Sequence, residues 1–199
     1  MIVVIDYGMG NLHSVRKALE VMGARVKVSS NPEDIKKAEK IVFPGVGSFG
    51  EAMKELKLRK LITPIKDAIA QGKPFLGLCL GLQLLFEKSE EAPGVKGLGI
   101  LRGEVKRFKL KSLKIPHMGW NVIKGHGAGI LKGVPSGSYM YFVHSYYAAP
   151  KNKKDILTTT DYGIDFTSGV RKDNVYALQF HPEKSQAVGL KILGNFVRL

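Results

Sequence analysis

Pro74-Phe75-Leu76-Gly77-Leu78-Cys79-Leu80-Gly81-Leu82-Gln83 is the stretch on which the fold of this chain turns. An apolar run leads into Cys79, and an apolar helical pattern at Leu82, Leu84, Leu85 and Phe86 leads away from it. Strand, sharp turn and helix with a nucleophile at the bend make an elbow, here with sulfur in place of the more usual hydroxyl. Gly77 and Gly81 stand two residues either side of Cys79, where the two elements approach and leave little room. The pattern predicts a sulfur exposed at the tip of a sheet, beside the positive end of a helix over 81–88, where negative charge is favoured.

Far downstream, Gln179-Phe180-His181-Pro182-Glu183 supplies a base and a carboxylate. Pro182 keeps His181 out of the helical region, and residues i and i+2 of an extended segment project to the same side. Glu183 then accepts from one imidazole nitrogen and leaves the other free for the thiol proton. A thiolate with a base and an orienting carboxylate suits attack on an amide or ester. Such chemistry also needs donors for the oxyanion. The backbone N–H of Leu80 is one source, and the loop Pro44-Gly45-Val46-Gly47 offers others at Gly45, Val46 or Gly47.

Outward from the elbow, strands and helices alternate at short spacing through the first half. Residues 2–5 read as a buried strand, and Asn11 caps a helix carrying Leu12, Val15 and Leu19. A short strand spans 25–28, and Asn31-Pro32-Glu33-Asp34 is a strong helix start. Residues 41–43 form another buried strand, Ser48 and Glu51 a capping box, and Thr63-Pro64 opens a helix that ends before Gly72. In the second half the segments 100–110, 119–123, 138–146, 155–162, 166–171 and 175–180 read as strands and turns, before a last helix over 186–197. The expected fold is α/β: a central, mostly parallel sheet flanked by helices, with an antiparallel or mixed portion in the second half, all in one domain over 1–199.

Composition narrows the function classes. A single cysteine leaves no internal disulfide and no thiolate-rich zinc site, and fits a reducing cytoplasm. No signal peptide is expected, and no apolar run approaches the ~20 residues needed to span a bilayer. The net charge is +14, from 31 basic and 17 acidic residues. The lysines are scattered and no aromatic platform alternates with them, which favours a solvated surface over a nucleic-acid face. Attraction to an anionic partner or substrate is a third reading. His13 and His126 have no metal-ligand neighbour at suitable spacing. Gly8-Met9-Gly10-Asn11 lacks the third glycine of a dinucleotide fingerprint.

Gly-x-Cys-x-Gly-x-Gln followed by a distant His-Pro-Glu resembles the class I, or triad-type, glutamine amidotransferases. Local patterns narrow the likeness: Asp6-Tyr7-Gly8-Met9-Gly10-Asn11, Phe43 to Gly47, Pro116-His117-Met118-Gly119-Trp120-Asn121, Tyr141 to Tyr146 and Gln179 to Ser185. Together they resemble the glutaminase subunits of imidazole glycerol phosphate synthase, from residue 2 to about 197. The resemblance implies Cys79 as nucleophile, His181 as general base and acid, and Glu183 as its orienter. It implies Val46 and Leu80 as oxyanion donors, Gln83 as a holder of the glutamine substrate, and Gly47, Ser145 and Tyr146 near its α-amino and carboxylate ends. No cofactor and no metal are implied.

The implied partner is a separate cyclase subunit with a (β/α)₈ barrel, paired as a heterodimer, which takes the ammonia and makes imidazole glycerol phosphate and aminoimidazole carboxamide ribotide. In the family the oxyanion loop rearranges in response to that partner. Candidates for the contact surface are Tyr7, Met9, Asn11, Arg16, His117, Met118, Trp120, Asn121 and Lys184; His144 reads as structural or interfacial and not as a second base. No nucleic acid and no membrane are expected as partners. Competing readings are the glutaminase of a vitamin B6 or aminobenzoate synthase, a cysteine hydrolase of the same fold, and a basic binding module.

Overall fold

Val3 and Ile5 pack on one side of the central sheet and Ile2 and Val4 on the other, so a strand of unbroken apolar sequence is buried on both faces. The computed structural model describes residues 1–125, 127 and 129–199, which leaves His126 outside the described residues. In order the elements are β1 (Ile2–Ile5), α1 (Leu12–Val21), β2 (Val26–Ser29), α2 (Pro32–Lys37), β3 (Lys40–Gly45), α3 (Phe49–Leu58), α4 (Ile62–Ala70), β4 (Phe75–Cys79) and α5 (Leu80–Gln83). The second half runs β5 (Lys88–Ser89), β6 (Gly103–Arg107), β7 (His117–Val122), β8 (Lys124–Gly125), β9 (Tyr139–His144), β10 (Tyr146–Pro150), β11 (Ile156–Asp161), β12 (Asp165–Lys172), β13 (Val175–Leu178) and α6 (Gln186–Val197).

The main sheet has the order β2-β1-β3-β4-β13-β12-β10-β6-β5, with β11 on β12 and β8 on β11. From β2 to β13 every pairing is parallel; β13–β12, β12–β10 and β10–β6 are antiparallel. The mostly parallel sheet with an antiparallel portion is therefore as expected. Strands β7 and β9 form a separate antiparallel ribbon. Helices α3 and α4 contribute Phe49, Leu56 and Ile65 to one buried cluster, and α1 and α6 contribute Leu19, Ile192 and Phe196 to the other.

The caps at Asn11 and Asn31 form: their side chains accept from the backbone N–H of Ser14 at 3.3 Å and Glu33 at 2.9 Å. Two expectations for the helices fail. Ser48 makes no capping bond; the N–H of Phe49 donates instead to Glu91 Oε2 at 2.8 Å. The helix expected over 81–88 stops at Gln83. Its would-be continuation loses its carbonyls to residues 97–101: Leu84 O accepts from Leu98, Leu85 O from Ile100 and Leu101, Phe86 O from Gly99, and Glu87 O from Gly97. Tertiary acceptance of those carbonyls leaves no i→i−4 ladder to extend. Among the described residues no helix is long and apolar enough to cross a membrane.

Candidate active site

Register in the parallel part of the sheet puts Gly45 of β3 beside Cys79, and Leu178 of β13 beside Leu78 of β4. The C-terminal ends of three adjacent strands thus deliver the loop after Gly45, the sulfur, and the segment Gln179 to Glu183 to one edge. That edge is where open parallel sheets hold their ligands.

Cys79 has φ +53° and ψ −109°, a conformation that costs a side-chain-bearing residue roughly 1–3 kcal/mol. The bend turns β4 into α5 within one residue. It is possible because α5 lies against the backbone of β3: a Cβ on Gly81 would come within 1.9 Å of the Phe43 carbonyl oxygen. The sulfur does not stand exposed as the sequence suggested. Cys79 is 7% accessible, because the loops after β3, β9 and β13 rise around it.

His181 is extended, at φ −102° and ψ 92°, but Pro182–Lys184 is a turn of 3₁₀ helix, so the pair does not share one extended strand. Glu183 nonetheless turns back to His181, with Nδ1 and Oε1 2.8 Å apart and both side chains buried. The His181 backbone is held from both ends. Its N–H donates to Tyr141 O at 2.9 Å, and its carbonyl accepts from Ser185 Oγ at 2.6 Å. Burial opposes a charge on the imidazole. The Cys79 sulfur and the Glu183 carboxylate outweigh it and push His181 up to about 10. His181 Nε2 remains buried with no hydrogen-bond partner among the described residues.

Cys79 and His181 line one cavity of about 290 Å³ together with Val46, Gly47, Leu80, Gln83, Glu91, Pro116, Val143, His144, Ser145 and Tyr146. The volume lies at the small end of ligand sites and suits an amino-acid-sized molecule. The structure therefore brings together Cys79, His181, Val46, Leu80, Gly47, Gln83, Ser145 and Tyr146, with Glu183 behind the histidine. Sequence reading missed Glu91, which enters from the irregular segment after β5. It also gave no role to Gln179, whose Nε2 lies 3.8 Å from Cys79 Sγ and whose Oε1 accepts from Gln83 Nε2 at 3.1 Å. Gln179 meets the nucleophile only through the fold, one position past the paired Leu178 and Leu78 and a hundred residues along the chain from Cys79. No local signal marks Glu91.

The surface candidates divide. Met118 and Trp120 are 62% and 48% exposed, and Asn11, Arg16 and Lys184 are exposed as well. Met9 and Asn121 are half-buried. Tyr7 and His117 are buried, contrary to the expectation that they present side chains outward. Tyr7 packs on Phe43 beneath the Gly45 loop, and His117 is stacked between Tyr162 and Phe142. His144 is buried too, and burial drives it down to about 3, so it stays neutral at physiological pH.

The family model described as Glutamine amidotransferase class-I matches residues 3–199. A curated relative from Aquifex aeolicus (strain VF5), named imidazole glycerol phosphate synthase subunit HisH, is 54% identical over 198 residues, covering 98% of this chain and 95% of the relative. Relatives of the same name from Rhodopirellula baltica and Bacillus subtilis (strain 168) are 49% and 48% identical, covering 98% and 100% of this chain and 96% of each relative. A solved structure described as a glutamine amidotransferase superposes with a TM-score of 0.79 over the whole of both chains at 18% identity. Another, described as PurLQS from Thermotoga maritima, gives 0.76 at 18% identity over 99% of this chain and 97% of the other. At those identities the two structures speak to the fold.

Proposed function

The chain belongs to the class I glutamine amidotransferase family, and on that premise we propose that it is the glutaminase subunit of an imidazole glycerol phosphate synthase, a single domain over residues 1–199. The observation that carries the reading is Cys79, held in a strained turn, sharing one small cavity with a buried His181–Glu183 pair.

Glutamine enters with its α-ammonium toward Glu91, the one acidic side chain among the described residues that line the cavity, and with Gln83 beside it. Gly47, Ser145 and Tyr146 face its carboxylate end. The thiolate of Cys79 attacks the side-chain amide carbon, and the carbonyl π electrons move onto oxygen. The backbone N–H groups of Val46 and Leu80 receive that oxyanion. Collapse breaks the C–N bond, His181 gives its proton to the leaving amine, and ammonia departs from a glutamyl thioester.

Deacylation needs His181 as a base. A thioester sulfur carries no charge, so one of the two groups that raise the imidazole's proton affinity is lost on acylation. The proton affinity falls, and the neutral ring takes a proton from water as it attacks. Glutamate leaves, and Cys79 and His181 regain their starting states. Glu183 holds the ring through Nδ1 in both halves.

Ammonia captured by water becomes ammonium and is lost as a nucleophile, so its consumer must sit against this protein. The partner is the cyclase, built as a (β/α)₈ barrel, and the exposed Met118 and Trp120 of β7 with Lys184 are its landing points. The glutaminase works in the cytoplasm. Glutamate release is to be assayed with and without the cyclase and its ligand, for wild type and for Cys79→Ala and His181→Ala. Strong turnover in the wild-type complex and none in Cys79→Ala is expected. Activation only by a different synthase, or turnover that survives Cys79→Ala, would overturn the reading.

A further inference from the structure

A continuous run of hydrogen bonds leads from the surface ribbon to the nucleophile. His144 Nδ1 lies 2.8 Å from the Tyr146 carbonyl oxygen. A carbonyl only accepts, so Nδ1 carries the hydrogen and Nε2 of the neutral ring is an acceptor. His117 Nδ1 lies 3.0 Å from that Nε2 and must donate to it, which leaves His117 Nε2 as an acceptor in turn. Asn121 Nδ2 supplies the donor at 3.2 Å. The Asn121 amide is itself fixed: Nδ2 donates to Asp161 O at 2.8 Å, and Oδ1 accepts from the Val122 N–H at 2.7 Å. Every role in the chain is thereby determined by backbone groups that cannot change theirs. Charging either histidine would set two N–H groups against each other.

At the inner end, Tyr146 O also accepts from Gln83 Nε2 at 3.0 Å, and the second hydrogen of Nε2 goes to Gln179 Oε1. Gln179 is wholly buried, and its Nε2 donates to Cys79 Sγ. Turning the Gln83 amide over would face its oxygen with two acceptors. Turning Gln179 over to relieve this would take its Nε2 donor away from Cys79 Sγ. Both hydrogens of Gln83 Nε2 are engaged inside, so the polar atom that Gln83 offers to the cavity is Oε1.

We propose that Asn121, His117, His144 and Gln179 are positioning residues that lock the Gln83 amide with its oxygen toward the cavity, so that Gln83 and Glu91 together present acceptors to the ammonium end of an amino-acid substrate. The inference deepens the glutaminase reading and rests on it. Burial supports it by holding His117 and His144 down to about 4 and about 3, neutral as the chain requires.

Two measurements test it. Nitrogen-15 NMR of the labelled protein, alone and bound to the cyclase, reports the tautomers of His117 and His144. Both rings should be the Nδ1–H form; an Nε2–H signature for either overturns the chain. Glutamine kinetics of the complex supply the second. His144→Phe removes the donor to Tyr146 O and should raise KM about tenfold, the worth of one hydrogen bond, while kcat changes less than threefold. His144→Asn, whose amide nitrogen can take the place of Nδ1, should bring KM back to within threefold of wild type. A wild-type KM in His144→Phe, or no recovery in His144→Asn, refutes the proposal. If His144→Phe does not fold, the wild-type tautomers still decide. A wild-type complex without glutamine turnover would instead sink the functional reading, and the tautomers would stand apart from it.

Discussion

Gly81→Ala is the sharpest probe of how the elbow is built. The added methyl would meet the Phe43 carbonyl oxygen at 1.9 Å and the carbonyl carbon at 3.0 Å, both main-chain atoms of β3. A comfortable carbon–oxygen contact is about 3.3 Å, so α5 must back away from β3 by about 1.4 Å. Leu80 and Gln83 travel with α5, and Cys79 is its N-cap. Overpacking of this kind costs about 1–3 kcal/mol. At about 2–4 °C per kcal/mol for a domain of this size, the melting temperature should fall by about 2–12 °C. Misplacement on the order of 1 Å costs about a hundredfold in rate, so glutaminase turnover in the complex should drop by that factor while the protein remains folded. Gly50→Ala is the matched control. Gly50 sits in α3, and its new methyl would meet Ala92 Cβ at an ordinary 3.4 Å. The control should be neutral or stabilised by about 0.5–1 kcal/mol, with unchanged turnover. Thermal melts and glutamate release read both variants. A Gly81→Ala protein with wild-type melting temperature and activity within threefold would refute the argument that the close seat of α5 on β3 aims the sulfur.

Other expectations follow from the same geometry. Burial lowers His117 from 6.5 to about 4, so its stabilisation is complete above pH 6.5 and is lost as pH falls through 4. With those values the loss between pH 7 and pH 5 is about 2 kcal/mol, and His117→Phe should show that much less acid sensitivity in urea titrations at the two pH values. Equal sensitivity in the two proteins would contradict it. Glu91→Gln keeps an oxygen for the Phe49 N–H but loses the charge facing the substrate ammonium; KM for glutamine should rise about 10–100-fold in steady-state assays, and an unchanged KM would argue against that contact. Trp120→Ala should weaken cyclase binding by about 2 kcal/mol or more in calorimetry without changing the melting temperature, since the ring is 48% exposed. Undiminished affinity would remove β7 from the interface.

What could be read from the sequence was what is local. The strand at 2–5, the asparagine caps and the elbow depend on residues within a few positions of one another, and each stands close to where its pattern places it. What escaped depends on distant chain. Glu91 reaches the site because it caps α3 across 42 positions of sequence, a partnership that neither segment announces. Helix α5 stops early because N–H groups of residues 97–101 donate to the carbonyls of Leu84 to Glu87, and apolar periodicity carries no trace of that. The surface assignments suffered from register. Reading the strand from 119 hid the alternation that begins at 117, which turns Met118 and Trp120 outward and sends His117 into the core. Gln179 was overlooked for a different reason: an amide earns notice by what it touches, and its neighbour across the sheet comes from the other half of the chain.

The positive φ at Cys79 sets stability against purpose at a single residue. A glycine there would sit at ease in the same bend, and the fold would gain from the exchange even as the reagent vanished. Evolutionary drift toward durability is therefore drift toward an inert protein at this position. A more heat-resistant descendant that still works must find its extra stability away from the bend.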